Sequence, residues 1–250
     1  SHDIAVSGGS NQGNYFFSLN YFDQQGTLMN TYMKRYTLRS NTSFNITENF
    51  RIGENLAFSL TDNPRVDARS EGSAIGMAMR QQPIIPVYDI RGNFAGSFGS
   101  GLGNARNPVA IQERMKNNRG EGTRLFGNVY AELDFLRNFT ARSSFGGQFA
   151  NSNWNSFTYP EYENAENGSQ NRYNEAANSN INWTFTNTLT YKNTFSELHN
   201  LTVLIGSESY KNTGREVGGS TLGYFSFDPD FTTLSTGAGT QTNYSSRYSD

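Results

Sequence analysis

The sequence contains no cysteine, which excludes a disulfide framework, a thiolate metal site and a cysteine nucleophile. Histidine is nearly as scarce. His2 stands at the start of the chain and His199 beside a turn, so neither a metal cluster nor a Ser-His pair has support. Long hydrophobic runs are missing too: no stretch approaches the roughly eighteen apolar residues of a membrane helix, so any membrane crossing is by strands. Only 35% of the chain is hydrophobic, with Asn, Gly, Ser and Thr crowding the rest, whereas a soluble core of this size draws on more Val, Ile and Leu. A net charge of −2 gives no basic footprint for nucleic acid, and nothing in the totals suggests a polyanion partner. There is no initiator methionine and no charged-then-apolar leader, and Asn243 to Asp250 end in a polar stretch. The expectation is a piece cut from a longer protein.

What is abundant is aromatic residues, at 14%, and alternation. From Leu125 to Ala150, one parity carries Leu125, Val129, Ala131, Leu133 and Phe135, then Phe139, Ala141, Phe145 and Phe149. The other carries Asn128, Glu132 and Asp134, then Thr140, Arg142, Ser144 and Gln148. This is the two-residue period of strands with one oily and one wet face, broken by a turn at Leu136 to Asn138. Each arm is about eleven residues long, close to the nine to eleven that cross a tilted bilayer. The same pattern recurs in Ile4 and Val6, Tyr15 to Tyr21, Arg35 to Ile46, Phe50 to Leu60, Asn180 to Tyr191 and Asn200 to Tyr210. It puts Phe17, Leu38, Leu56, Val129, Phe145, Phe185 and Val203 on the apolar parity. Arg35, Arg39, Arg51, Arg124, Glu132, Asp134, Arg142 and Glu208 take the polar one, and Glu54 alone breaks the rule.

Connections alternate between short (10–14, 47–49, 136–138, 192–199) and long (23–34, 61–123, 151–179, 211–250). In an up-and-down sheet that places every long connection on one rim, the asymmetry of outer-membrane barrels. Aromatic residues flank both rims, as a bilayer's two interfaces select. Chemistry is harder to find. Gly99, Gly101 and Gly103 lack the strand-then-helix context of a phosphate loop. Glu132 and Asp134 share a face with Arg142, which favours solvated charges or a salt-bridged ladder over an acid pair. The acidic residues Glu161, Glu163, Glu166 and Glu175 lack the spacing of a calcium loop. The 61–123 connection is the best candidate for function, with a short helix over Ala74 to Gln82 stopped by Pro83. A second, Val109 to Lys116, is capped by Asn107-Pro108.

The phrases DIAVSGGSNQGNYFFSLNYFDQQGTL, RYTLRSNTSFNI, AMRQQPIIPVYDIRGNF, RNPVAI, LFGNVYAELDFL and NTLTYKNTFSELHNLTVLIGSESYK together resemble the early barrel of the SusC/RagA family of TonB-linked outer-membrane transporters of Bacteroidetes. The resemblance implies an all-β, antiparallel transmembrane barrel of about 22 strands closed by a plug, with about eight strands here and the plug outside 1–250. It implies an importer in the bacterial outer membrane, in contact with lipid, that performs no covalent chemistry and needs no cofactor. The partners it implies are a SusD/RagB-like surface lipoprotein, the TonB complex acting through the missing plug, and an oligosaccharide or peptide substrate. Loops of this family face substrate and lid, which makes Tyr88, Phe94, Trp154, Tyr159 and Tyr162 candidate contacts, and Arg39, Glu132, Asp134, Arg142 and Glu208 lumen charges. Two competitors remain open: a secreted β-sheet glycan-binding module, and an outer-membrane hydrolase that would need a serine beside His199.

Overall fold

Side chains that alternate between oil and water fold as one layer, and the computed structural model, which describes residues 1–250 apart from Arg65, Ala68 and Asn167, is a single antiparallel sheet. Its nine strands lie in sequence order: β1 His2–Ser10, β2 Gly13–Gln25, β3 Tyr32–Asn45, β4 Phe50–Asp62, β5 Arg119–Phe135, β6 Phe139–Thr158, β7 Arg172–Phe195, β8 His199–Leu222 and β9 Gln241–Ser249. Tight turns close one end, and the connections 26–31, 63–118, 159–171 and 223–240 gather at the other. Two of the tight turns hold Leu136, Arg137, Ser196 and Glu197 at positive φ. That matches the primed turn geometry which suits twisted hairpins.

The two faces are distinct. Phe17, Leu38, Val129 and Phe145 are 41, 50, 49 and 51% exposed on one face, with Leu56, Phe185 and Val203 beside them. Register joins these into continuous apolar rows, such as Leu19 to Leu38 to Phe58 to Leu125 to Phe149 to Ile181. Among the described residues the buried hydrophobic ones are Ala74, Met77, Ala105, Ala110, Tyr173, Ala176 and Tyr224, all in the long connections or at the strand ends beside them. Among the described residues no apolar layer covers the sheet, although a soluble chain of this length buries a large core.

The sheet departs from the sequence expectation in extent. There are nine strands rather than eight, β6 continues through Trp154 to Thr158, β7 begins at Arg172, and β8 runs on to Leu222. The proposed loops 151–179 and 211–250 are therefore largely strand, and 61–123 contracts to 63–118. The cause is visible in the residues: beyond Ala150, Asn151, Ser152 and Asn153 are polar on both parities, as are Asn178, Ser179 and Asn180. With water on both faces the period-two signal vanishes while backbone pairing continues. β9, with sequence QTNYSSRYS, pairs only with Thr213 to Thr221 of β8 and carries no apolar stripe.

Glu54 lies on the apolar face, where its Oε1 accepts a hydrogen bond from the Ser40 hydroxyl. Its register neighbours Thr42 and Val129 and the flanking Ile52 and Leu56 keep their expected parity. Glycines sit where strands bend or crowd. At Gly127 φ is +151°, and a Cβ there would collide with the Asn55 carbonyl oxygen of β4. Replacing Gly127 by alanine is expected to destabilise the sheet by about 2–3 kcal/mol. The check is heat-modifiable migration of the full-length protein on SDS gels, in which unfolding should start at lower temperature; an unchanged transition would contradict this packing.

Candidate functional site

At the open rim the longest connection, 63–118, folds into a cap. Ser73 caps α1 (Ala74–Arg80), its hydroxyl accepting from the Gly76 N–H, and Asn107 caps α2 (Pro108–Arg114), its side-chain oxygen accepting from the N–H groups of Val109 and Ala110. Both helices fall where capping residues and the proline place them. Asn107 does more than cap: its amide donates to the Val87 carbonyl at 2.8 Å and the Ala95 carbonyl at 2.7 Å, tying α2 to the 87–95 turn.

The cap is joined to the 159–171 connection by ion pairs. Arg114 grips Glu163 in a fork, Nη1 to Oε1 at 2.6 Å and Nη2 to Oε2 at 2.9 Å, with the Glu163 side chain 1% exposed. Its guanidinium also lies 5.6 Å from the ring centres of Phe94 and Tyr162. Arg106 binds Glu161 at 3.0 Å and the Gly72 carbonyl. Burial alone pushes the Glu163 carboxyl up, but the Arg114 fork and backbone N–H bonds outweigh it and hold it below the ordinary value.

The five aromatic candidates are divided by this arrangement. Tyr88 stacks on Phe94 at 5.6 Å, and the Phe94 N–H donates to the Tyr162 hydroxyl at 3.1 Å; Tyr88 and Tyr162 remain 53 and 54% exposed. Tyr159 packs with Phe157 and Phe227 in a separate cluster that includes Tyr224. Trp154 is on β6 rather than in a loop, on the polar parity between Gly120 and Ala176. There it lines a cavity of about 680 Å³ under the cap, with Leu28, Thr61, Pro64, Ile75 and Gly122. Sequence alternation missed Leu28 and Ile75 because neither is on a strand, and the Phe157–Tyr224–Phe227 cluster because it joins the end of β6 to the distant 223–240 connection.

On the polar face nearer the tight turns, the charges form a ladder. Arg51 pairs with Glu132 and, at 3.3 Å, with Asp134; Arg142 reaches Glu132 at 3.2 Å and lies 4.0 Å from the Tyr130 ring centre. Thr140 donates to Asp134 and Thr186 to Glu208. These carboxylates are spoken for, which fits a structural ladder better than acid catalysis. Arg39 lies higher, in a depression described below. His199 pairs with Phe195 at a hairpin end, and among the described residues no three His, Cys, Asp or Glu side chains gather to hold a metal ion.

No protein-family model matches the chain. A TonB-dependent receptor of Formosa agariphila is 26% identical over 99% of this chain, which spans 24% of that protein. The TonB-dependent receptor SusC of Bacteroides thetaiotaomicron is 25% identical over 60% of this chain and 17% of its own length. A solved structure of the RagAB peptide importer in its closed-closed state superposes with a TM-score of 0.77 at 25% identity, covering 99% of this chain and 28% of that one. The chain thus spans about a quarter of the relatives it matches over its whole length.

Replacing Arg114 by alanine leaves Glu163 buried without its cation, an arrangement that costs about 3–5 kcal/mol. Limited proteolysis of the full-length protein should then cut within 63–118 much faster than in the parent. The pH dependence has a definite sign: the Glu163 carboxyl is lowered in the folded state, so its contribution is complete above the unfolded value of about 4.3. It is lost only as pH falls through the lowered native value. Cleavage should stay flat from pH 8 to 5 and rise below about 4; a rise between pH 7 and 5 would contradict the pairing.

Proposed function

We propose that this chain, a SusC/RagA-like segment of a TonB-dependent receptor, forms part of the wall and outer mouth of a barrel that imports oligomeric nutrients across the bacterial outer membrane. The observation that carries the proposal is the uncovered apolar face of a sheet whose long connections all gather at one end, repeated over nearly the whole chain in the RagAB fold. On this proposal hydrocarbon covers Phe17, Leu38, Leu56, Val129, Phe145, Phe185 and Val203, and water fills the side bearing Arg39, Glu132, Asp134, Arg142 and Glu208.

The mechanism follows from the parts. A SusD/RagB-like lipoprotein closes over the cap, where Tyr88, Phe94, Tyr159 and Tyr162 stand near the rim, and Trp154 lies on the solute's way inward. A plug from elsewhere in the protein is drawn by the TonB complex to open the lumen, and the wall performs no covalent chemistry. The solute is an oligosaccharide or a peptide; RagAB is a peptide importer. The uncovered apolar face weighs against a secreted glycan-binding module.

Charge on the lipid face is the direct test. An arginine at Val129, near the middle of β5, costs about 2–4 kcal/mol at the bilayer midplane, whereas one at Asn128, on the wet face, costs little. In the full-length protein Val129→Arg should reduce the outer-membrane fraction several-fold and Asn128→Arg should leave it near the parent level. Equal recovery of the two would overturn the proposal.

A further inference from the structure

The net charge of the chain hides a local imbalance. Arg35 and Arg39 of β3 and Arg124 of β5 project from the polar face into a depression of about 690 Å³ whose lining includes Ser18, Thr37, Ala57 and Ser59, with Asp3 as its one carboxylate. Asp3 accepts from the Asn20 amide. Among the described residues, Arg35, Arg39 and Arg124 form no ion pair, while Arg51 and Arg142 a few rows below are both paired to acids. What Arg124 and Arg35 do contact is neutral: Arg124 donates to the Gln148 side chain and lies over Phe126, and Arg35 lies over Phe22.

The position of this patch matters. β3, β4 and β5 have both lateral neighbours within the chain, β2 and β6, so no further strand can bring an acid to these arginines from the side. A counter-charge other than Asp3 would come from whatever lies over the polar face. Cross-strand register leads sideways from the patch along one row: Arg35 is opposite Thr61, Thr61 opposite Gly122, and Gly122 opposite Ser152. Thr61, Gly122 and Ser152 line the Trp154 cavity under the cap. The cavity at the mouth and the cationic depression are thus neighbours along one wall.

Resting on the import proposal, we infer that the transported solute is an oligosaccharide carrying carboxylate or sulfate groups, and that Arg35, Arg39 and Arg124 receive those groups after capture at the mouth. Guanidinium forks match planar oxyanions, and clefts lined by one sign of charge concentrate counter-ions and select them in pores. The amides of Asn41, Asn55 and Asn128 in the same depression offer donors and acceptors for sugar hydroxyls. The exposed Phe126 ring beside Arg124 offers a stacking face.

The test uses the full-length receptor and four probes: hexagalacturonate, a sulfated hexasaccharide, neutral maltohexaose and hexaglutamate. Calorimetric affinities at low and high salt are compared for the parent and the triple variant Arg35→Gln, Arg39→Gln, Arg124→Gln. The expected result is that an anionic hexasaccharide binds at least tenfold more tightly than maltohexaose. That preference should fall about tenfold or more in the triple variant, with a flatter salt dependence, and Arg→Lys replacements should restore part of it. An unchanged preference in the triple variant overturns the inference, as does binding of hexaglutamate alone. Absence of binding by either anionic sugar overturns it too, as do new protease sites in the plug with sugar affinity unaltered, which would assign the arginines to plug docking. A receptor that still assembles and imports maltohexaose in any of those cases leaves the import proposal standing. One that neither reaches the outer membrane nor takes up any probe removes that proposal instead.

Discussion

Every backbone group of a strand in hydrocarbon must find its partner in a neighbouring strand, because nothing in the surroundings can replace it. On the import proposal, that constraint organises the molecule. It explains why the residues that face the apolar side are held in a single unbroken meander with pairing along each adjacent strand. It also explains why the chain keeps its few buried apolar residues out of the sheet's span, collecting them at the rim. Among the described residues no second layer covers the sheet, and on the import proposal its apolar face meets hydrocarbon.

The same constraint divides polar chemistry by height. Along the polar face, Arg51, Glu132, Asp134 and Arg142 settle their charges among themselves, whereas Arg35, Arg39 and Arg124 line a depression with no ion pair among the described residues. Toward the long connections the oil-and-water alternation ends, and the connections hold one another. The Arg114–Glu163 fork, the Asn107 cap and the Phe157–Tyr224 contact fix the cap by ordinary protein packing. Aromatic residues there serve the loops first, with Tyr88 and Tyr162 retaining an exposed side.

What was legible in the sequence follows from which solvents a segment meets. Leu125 to Phe149 announced its strands, turn and faces because one parity is apolar and the other polar. Asn151 to Thr158 and Gly214 to Thr221 announced nothing, being mostly polar or glycine on both parities, and Gln241 to Ser249 read as a tail for the same reason. The capping of α2 was legible because Asn-Pro is a local signal; its bonds to Val87 and Ala95 are long-range and were not. Likewise the Glu132–Arg142 contact followed from the hairpin, whereas Arg51 joins it only because β4 pairs with β5 across the whole 63–118 connection.

The absence of cysteine makes the central claim, two solvents on two faces, directly measurable. Single cysteines placed from Leu125 to Phe135 in the full-length receptor, with any others removed, can carry spin labels whose collisions with oxygen and with a water-soluble nickel chelate are compared in membranes. Oxygen accessibility should peak at Leu125, Val129, Ala131 and Leu133 and chelate accessibility at Asn128, Tyr130 and Glu132, with a period of two. Equal chelate access at both parities, or no alternation, would contradict the account.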